Sequence, residues 1–215
     1  MFTLNYKVLS MENKEQYLND LREIKDIMNR SSRFISLSGL SGVAAGIYAL
    51  IGAFFAYRII YATQAYGNRV VAYTSTQTLQ LLGVGLAVLV MAIATGILLT
   101  TRTARKNKET IWNQQARLLL ANLAIPLATG GLLCLVLMYH GLMYLVAPLT
   151  LIFYGLALIN ASKYTLSDIR GLGLCQVAIG LAAAFFIGHG LLFWAVGFGV
   201  MHIVYGLIMK LKYGS

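Results

Sequence analysis

Three stretches of this sequence are so apolar and so free of charge that they fit only the interior of a membrane. No Lys, Arg, Asp or Glu occurs from Phe34 to Tyr57, from Leu118 to Ser162 or from Gly171 to Met209. As a helix, the first stretch would be roughly 36 Å long, enough to cross a hydrocarbon core that is about 30 Å thick. The other two stretches are too long for one crossing, and each fits two helices.

The composition indicates the same class of protein. Hydrophobic residues make up 59% of the chain and charged residues 11%, and the mean hydropathy is +0.72. A soluble domain would have to expose part of this surface to water. The strands of a membrane barrel alternate apolar and polar residues, and these stretches do not. We therefore predict an all-α, polytopic membrane protein, a bundle of six transmembrane helices.

Turn signals divide the long stretches and set the predicted helix boundaries. Tyr139-His140-Gly141 marks one break and His189-Gly190 the other. The transmembrane domain is predicted to cover residues 33–215, and Pro126 and Pro148 are expected to kink the helices that contain them. The six predicted spans are residues 34–59, 78–100, 117–139, 142–161, 171–188 and 191–209.

The N-terminal segment, residues 1–32, is polar and is predicted to lie in the cytoplasm. From Ser10 to Asn29 its apolar residues recur at helical spacing, which predicts an amphipathic helix with Ser10 as its N-cap. Such a helix either lies on the membrane surface or on the protein's own cytoplasmic face, or it docks a protein partner or a second copy. Met11 is an alternative start to Met1, and no cleavable signal peptide is predicted. The apolar stripe consists of Tyr17, Leu21, Ile24 and Met28, with Leu18 and Ile27 beside it.

The distribution of basic residues predicts the orientation of the chain. The formal net charge is +10, but these charges flank apolar helices, so they indicate topology determinants rather than a nucleic-acid-binding surface. Fifteen of the 17 Lys and Arg residues fall on the side of the two termini, and only Arg58 and Arg69 fall on the other. The positive-inside rule therefore places both termini in the cytoplasm.

The three predicted helical hairpins resemble copies of one unit. Each begins at an arginine, and its second helix carries a related hexapeptide with a glycine. The distance from arginine to glycine is 38 residues in the second copy and 36 in the third, against 63 in the first. We predict three parallel helical-hairpin repeats. The arginines are Arg33, Arg117 and Arg170, and the glycines are Gly96, Gly155 and Gly206.

Small residues at every fourth position predict close helix packing in two of the spans. They lie on span one and on span five. In lipid, small residues allow two helix backbones to approach closely. The same chemistry serves a homo-oligomer, but packing within the chain is the preferred interpretation. The two sets are Ser38, Gly42 and Gly46, and Gly180, Ala184 and Gly188.

No Asp, Glu, Lys or Arg lies in the interior of any predicted span. Proton-coupled transporters need membrane-embedded charges, and membrane hydrolases need carboxylate or histidine clusters. Cys134 and Cys175 are interpreted as packing residues. His140 and His189, one at each outer turn, supply too few ligands for a metal site. We predict no enzymatic activity, no cofactor and no metal.

Neutral polar side chains remain as the candidates for a site inside the membrane. Ser38, Asn122 and Gln176 lie five or six residues after the arginine of their repeat, a depth at which three repeats would bring them together. They either line a small polar site or form interhelical hydrogen bonds. The full candidate site adds two tyrosines that precede a glycine and one neighbouring histidine, and it comprises Ser38, Asn122, Gln176, Tyr154, Tyr205 and His202.

The run from Arg30 to Gly42, RSSRFISLSGLSG, follows the short helix of mixed charge. It resembles the beginning of a family of uncharacterised six-helix bacterial integral membrane proteins. This resemblance implies a bacterial inner-membrane protein and carries no known activity or site residue.

These observations favour a membrane protein without enzymatic activity that senses or scaffolds, presenting its N-terminal helix and the basic loop after span two to a cytoplasmic protein partner. The alternative is a small transporter or channel for a neutral or weakly polar solute, which the layer of Ser38, Asn122 and Gln176 favours. A third interpretation is a lipid- or quinone-binding protein with a Tyr- and Met-rich interior. The expected partners are the lipid bilayer, the cytoplasmic protein and a second copy of the chain, and no nucleic acid.

Overall fold

The computed structural model describes residues 16–17, 20–21, 39–61, 74–106 and 112–213 of the chain. Within this part the protein is an all-α bundle, and six of its helices are long and apolar enough to cross a membrane. Short 3-10 turns, Met143–Leu145 and Ser162–Tyr164, flank the fourth helix. The helices are α1 (Gly39–Tyr61), α2 (Ser75–Lys106), α3 (Gln114–Tyr139), α4 (Val146–Ala161), α5 (Asp168–Phe185) and α6 (Gly190–Tyr213).

The prediction of six membrane-spanning helices is confirmed, although several details differ. Gly141 and Gly188 adopt positive φ angles of 73° and 96° in the two turns, a backbone conformation that glycine adopts without strain. Gly188 therefore lies in the turn after α5 and not in the predicted small-residue stripe. Pro148 was expected to kink a helix, but it lies in the first turn of α4, where a missing N–H removes no internal bond of that helix. Pro126 lies well inside α3.

Helix α6 is not uniform along its length. It begins with one α-helical turn, Gly190–Trp194, continues as a π-helix over Ala195–Met201 and returns to α-helix over His202–Tyr213. We call Ala195–Met201 the π segment. π-helical turns are rare and are frequently found at functional sites. The sequence periodicity did not predict this change.

The helices pack in an order that leaves one pair of chain neighbours apart. Helix α1 packs on α2 and on α6, while α4 packs on α3, α5 and the beginning of α6. The π segment also packs on α1 and α5. Helices α2 and α3 are consecutive in the chain but do not pack against each other, so each has one principal neighbour among the described helices. In α2 the only buried residue is Ala104.

Glycines account for the closest helix contacts. A methyl group added at Gly155 would lie 2.6 Å from the carbonyl oxygen of Gly173, and one added at Gly206 would lie 2.6 Å from that of Gly39. Gly155 thus joins α4 to α5, and Gly206 joins α6 to α1. The packing within the chain that was predicted for Gly46 is confirmed, because Gly46 is buried against the backbone of Gly199. Such close approach provides dispersion contacts where lipid provides no hydrophobic drive between helices.

Several predictions fall on residues that the structure does not describe. Most of the amphipathic N-terminal helix lies outside the described residues, as does Ser38. Of that helix, residues 16–17 and 20–21 are helical, and Tyr17 and Leu21 are exposed. The N-terminal helix and the threefold repeat therefore stay predictions.

Candidate polar site in the membrane interior

The amide of Gln176 lies at the centre of the transmembrane domain and is fully buried, with 0% of the residue exposed. It projects from α5, and its Nε2 donates a hydrogen bond of 2.8 Å to the carbonyl oxygen of Gly197 in the π segment. An uncharged amide suits this depth because a charged side chain would cost far more to bury in a membrane. This bond ties α5 to α6.

His202, the first residue after the π segment, shares the same carbonyl. Its Nδ1 lies 3.0 Å from the oxygen of Gly197, and its Nε2 lies 2.8 Å from the hydroxyl of Tyr154 on α4. The carbonyl can only accept, so Nδ1 carries the hydrogen, and in the neutral ring Nε2 then accepts from the tyrosine. Gln176 Nε2 and His202 Nδ1 are 3.4 Å apart because both donate to one oxygen. The neutral imidazole uses both of its nitrogens.

Aromatic rings surround this histidine. Phe198 stacks on His202 with ring centroids 5.9 Å apart, and Tyr154 lies 5.1 Å from Phe198. Trp194 extends the group toward the start of α6, 5.1 Å from Phe198. Offset and tilted ring pairs of this kind are each worth about 0.5–1.5 kcal/mol beyond the area that they bury. Gln176 and His202 are both buried beside these rings.

The two glycines of the π segment make room for this arrangement. A side chain at Gly197 would collide with Cδ2 of Leu151 and would lie 2.7 Å from Oε1 of Gln176. A side chain at Gly199 would collide with Leu50 of α1. The segment is thus pressed between α4 and α5 on one side and α1 on the other.

Two buried polar atoms of the candidate site have no hydrogen-bond partner among the described residues, namely Oε1 of Gln176 and the hydroxyl of Tyr205. A buried polar group without a partner costs about 1–3 kcal/mol. Tyr205 follows His202 by three residues and therefore lies on the same face of α6. It packs against Leu158, Ile169 and Leu172. Oε1 of Gln176 can still accept a hydrogen bond, and the hydroxyl of Tyr205 can still accept or donate one.

The structure brings together three of the six predicted site residues. Gln176, His202 and Tyr154 form one hydrogen-bonded cluster, which we call the polar cluster. Asn122 lies elsewhere: its side chain donates to the carbonyl of Leu118 in its own helix, at 2.8 Å. The predicted convergence of Asn122 with Gln176 is therefore not found, since α3 does not pack on α5. Gly197 is the member that sequence reasoning missed.

Hydrogen bonding is the chemistry that the polar cluster can supply among the described residues. They contain no group of three or more His, Cys, Asp or Glu side chains that could hold a metal ion. Cys134 is buried and Cys175 is exposed, and both are free thiols. The polar cluster offers amide, imidazole and phenol groups, which together can accept or donate hydrogen bonds to a small neutral molecule.

A second set of interacting polar side chains lies at the end of the bundle where α5 begins and α6 ends. Lys212 Nζ lies 2.8 Å from Oδ2 of Asp168, and the hydroxyl of Tyr213 donates to the same oxygen at 2.6 Å. Both partners come from the last turn of α6. Side-chain interactions therefore hold α6 to its neighbours at two positions, namely the polar cluster and this exposed end.

Comparison of the chain with models of protein families, with curated proteins and with solved structures finds no match.

Proposed function

We propose that this chain is a non-enzymatic membrane sensing component in which α6 relays a change at the polar cluster to the end that carries Asp168. The observation that supports this proposal is the polar cluster itself, built on the π segment. Its hydrogen bonds hold α6 to α4 and α5, whereas the last turns of α6 pack on α1 through Gly206. Helix α6 thus connects two groups of helices.

The hydrogen bonds of the polar cluster are weak enough for an element that switches between two arrangements. Hydrogen bonds between membrane helices contribute on average about 0.6 kcal/mol each, so the polar cluster adds little to stability for the number of polar groups that it buries. A switching element needs two arrangements that differ by only a few kcal/mol. A segment that is already π-helical and contains two glycines can change its hydrogen-bond register at small cost.

The proposed output is a cytoplasmic protein partner. We infer that it docks at the end of the bundle that carries the two termini, with the amphipathic segment of residues 1–32 as its contact. The excess of Lys and Arg at that end, 15 of 17 in the sequence, supports a cytoplasmic orientation. The resemblance of residues 30–42 to bacterial proteins supports the bacterial inner membrane as the location.

The experiment is an affinity pull-down from native membranes with three chains: the full chain, a chain lacking residues 1–29, and the variant Gln176→Leu. A partner that is captured by the full chain and lost with residues 1–29 supports docking. A changed amount of partner with Gln176→Leu, at equal amounts of folded protein, supports the relay. The absence of a specific partner in all three chains would contradict the proposal.

A second candidate function rests on the unpaired Oε1 of Gln176. A small neutral solute with hydrogen-bond donors, passing between α4, α5 and α6, would find an acceptor there. This makes the chain a facilitator or channel for such solutes. The test is the rate at which proteoliposomes re-swell after the initial shrinkage caused by added glycerol or urea, measured by light scattering.

The matched control for that test is Asn122→Leu, because the amide of Asn122 bonds within its own helix. Flux that falls with Gln176→Leu and not with Asn122→Leu supports the facilitator. Equal flux in both variants and in protein-free liposomes would exclude it for these solutes.

A further inference from the structure

The faces of α2 and α3 that point away from their single neighbours are uncovered by the described residues. On α2 no side chain from Ser75 to Thr103 is buried, and a methyl group added at Gly96 would meet nothing within 4 Å. On α3 a methyl group added at Gly131 would likewise meet nothing within 4 Å. The exposed side chains are long and apolar: Leu86, Ile93, Ile97, Ile125, Leu132 and Leu135, each more than half exposed.

The connection between the two helices limits the distance between their ends. Only residues 107–113 separate the end of α2 from the start of α3, and a chain of that length spans at most about 28 Å. The side chain of Asn113 caps α3 by accepting a 2.8 Å bond from the N–H of Ala116. We call the uncovered apolar faces of α2 and α3 beside this connection the groove.

Basic side chains flank this groove at its connected end. Arg102, Arg105 and Lys106 lie in the last turns of α2, and Arg117 lies in the first turn of α3. All four are exposed, and none forms an ion pair within the part of the chain that the structure describes. In the sequence from Arg102 to Arg117 there are five basic residues and one acidic residue, Glu109. The charge at this end of the groove is therefore strongly positive.

We propose that an anionic phospholipid binds in this groove, with its acyl chains against α2 and α3 and its phosphate held by Arg102, Arg105 and Arg117. The guanidinium group is suited to phosphate because its fixed donors bind two oxygens at once. Basic sites between membrane helices bind anionic headgroups in this way. The site is independent of the polar cluster and of the proposed relay.

The charges also favour lipid over a second copy of the chain as the occupant. Two copies inserted in one orientation that met along α2 and α3 would bring the arginines of both copies to the same depth. Like charges at such distances repel, whereas a phosphate neutralises them. The apolar faces in turn favour a lipid over free phosphate.

The test uses Trp112, which immediately precedes the cap of α3 and is 69% exposed, as a reporter beside the groove. In a Trp194→Phe background it is the single tryptophan of the chain. The protein is placed in phosphatidylcholine vesicles that contain a minor fraction of phosphatidylglycerol brominated in its acyl chains. A parallel sample carries the same fraction of brominated phosphatidylcholine. The proposal expects stronger quenching of Trp112 by the phosphatidylglycerol.

The matched variants remove equal charge from the same end of the bundle. Arg102→Gln/Arg105→Gln/Arg117→Gln empties the proposed site of cations, and each arginine removed is expected to lower the preference for phosphatidylglycerol roughly fivefold. Arg170→Gln/Lys210→Gln/Lys212→Gln removes three exposed charges from α5 and from the end of α6, which do not pack on α2 or α3, and is expected to retain most of the preference. Circular dichroism and elution in size-exclusion chromatography establish that both variants fold.

Three results would overturn the proposal. Equal quenching by the two brominated lipids would show contact with bulk lipid only. An equal loss of preference in both triple variants would show a diffuse charge effect of the whole face. Quenching by neither lipid would show that another occupant, such as a second copy, covers the groove.

Discussion

The hydroxyl of Tyr154 and Nε2 of His202 lie 2.8 Å apart and join α4 to α6 where the π segment ends. This pair defines the state of the polar cluster, because a tyrosine that donates to Nε2 leaves Nδ1 to bind the carbonyl of Gly197. Protonation of the ring would place two donors face to face unless the tyrosine turned its own hydrogen away. The cluster thus prefers a neutral histidine, which agrees with a relay that rearranges without moving charge through lipid.

A double-mutant cycle on this pair measures its contribution. We expect Tyr154→Phe and His202→Asn to interact with a coupling energy of about 0.6 kcal/mol, the average found between membrane helices, and of no more than about 1.7 kcal/mol. The readout is the free energy of unfolding in mixed micelles. Tyr48→Phe, which removes the separate bond from Tyr48 to Thr95, serves as the control and should add to His202→Asn without coupling. Additivity of Tyr154→Phe with His202→Asn would show that the bond is not formed in solution.

Two glycines of the recurring hexapeptide are expected to respond in opposite ways. In Gly206→Ala the new methyl group would lie 2.6 Å from the oxygen of Gly39 and the nitrogen of Val43, so α1 and α6 must separate. A loss of roughly 1–3 kcal/mol is expected, as for overpacked cores. Gly96→Ala meets nothing within 4 Å and should be neutral or stabilising by up to about 1 kcal/mol through helix propensity. Thermal unfolding in detergent compares the two variants, and equal effects would contradict the assigned packing.

The number of helices followed from the sequence because charge and length in a membrane leave few choices. The uncharged run from Leu118 to Ser162 admits only two spans, and the turn at Gly141 divides it as predicted. The burial of Gly46 and Gly180 in helix contacts also followed, since small residues mark close approach. These predictions depend on local composition.

The polar cluster was only half predictable, because its geometry depends on which helices become neighbours. Equal depth in a repeat suggested that Asn122 would meet Gln176, but α3 packs on α4 and not on α5. Gln176 and His202 were recognisable as polar groups in apolar spans. Gly197, whose backbone oxygen joins them, carries no side-chain signal. The π segment shifts the register by one residue, which a 3.6-residue period does not show.

Gly197→Ala is expected to disrupt the polar cluster without removing any of its polar atoms. The added methyl group would collide with Leu151 and lie 2.7 Å from Oε1 of Gln176, so the amide must leave the carbonyl of residue 197. The response to this variant in the partner pull-down should match that of Gln176→Leu. Gly131→Ala on the open face of α3 is the control and should behave as the unaltered chain. If Gly197→Ala captured as much partner as the unaltered chain, the polar cluster would not take part in the proposed relay.

The orientation is tested with reporters at the two sides. A green fluorescent protein fused after Ser215 should fluoresce, because the excess of Lys and Arg predicts a cytoplasmic C-terminus. Alkaline phosphatase inserted between residues 66 and 67 should be active, since that loop is predicted to face outside. The same phosphatase fused after residue 107 should be inactive. Activity after residue 107 with a dark C-terminal fusion would show the reverse orientation.

Asp168→Asn is expected to release the last turn of α6 while leaving the polar cluster intact. The carboxylate binds Nζ of Lys212 at 2.8 Å and the hydroxyl of Tyr213 at 2.6 Å, both through Oδ2. The neutral amide of asparagine cannot form the ion pair, and its oxygen is a weaker acceptor than a carboxylate oxygen. Because the pair is exposed, global stability should change little, whereas hydrogen exchange of the amides from residue 209 to residue 213 should accelerate. Lys212→Arg keeps the charge and should preserve slow exchange.

Raised salt should accelerate hydrogen exchange of these amides in the unaltered chain and have a smaller effect in Asp168→Asn, because screening weakens an exposed ion pair. Unchanged exchange in Asp168→Asn would show that α6 is held at this end by its glycine contact with α1 alone.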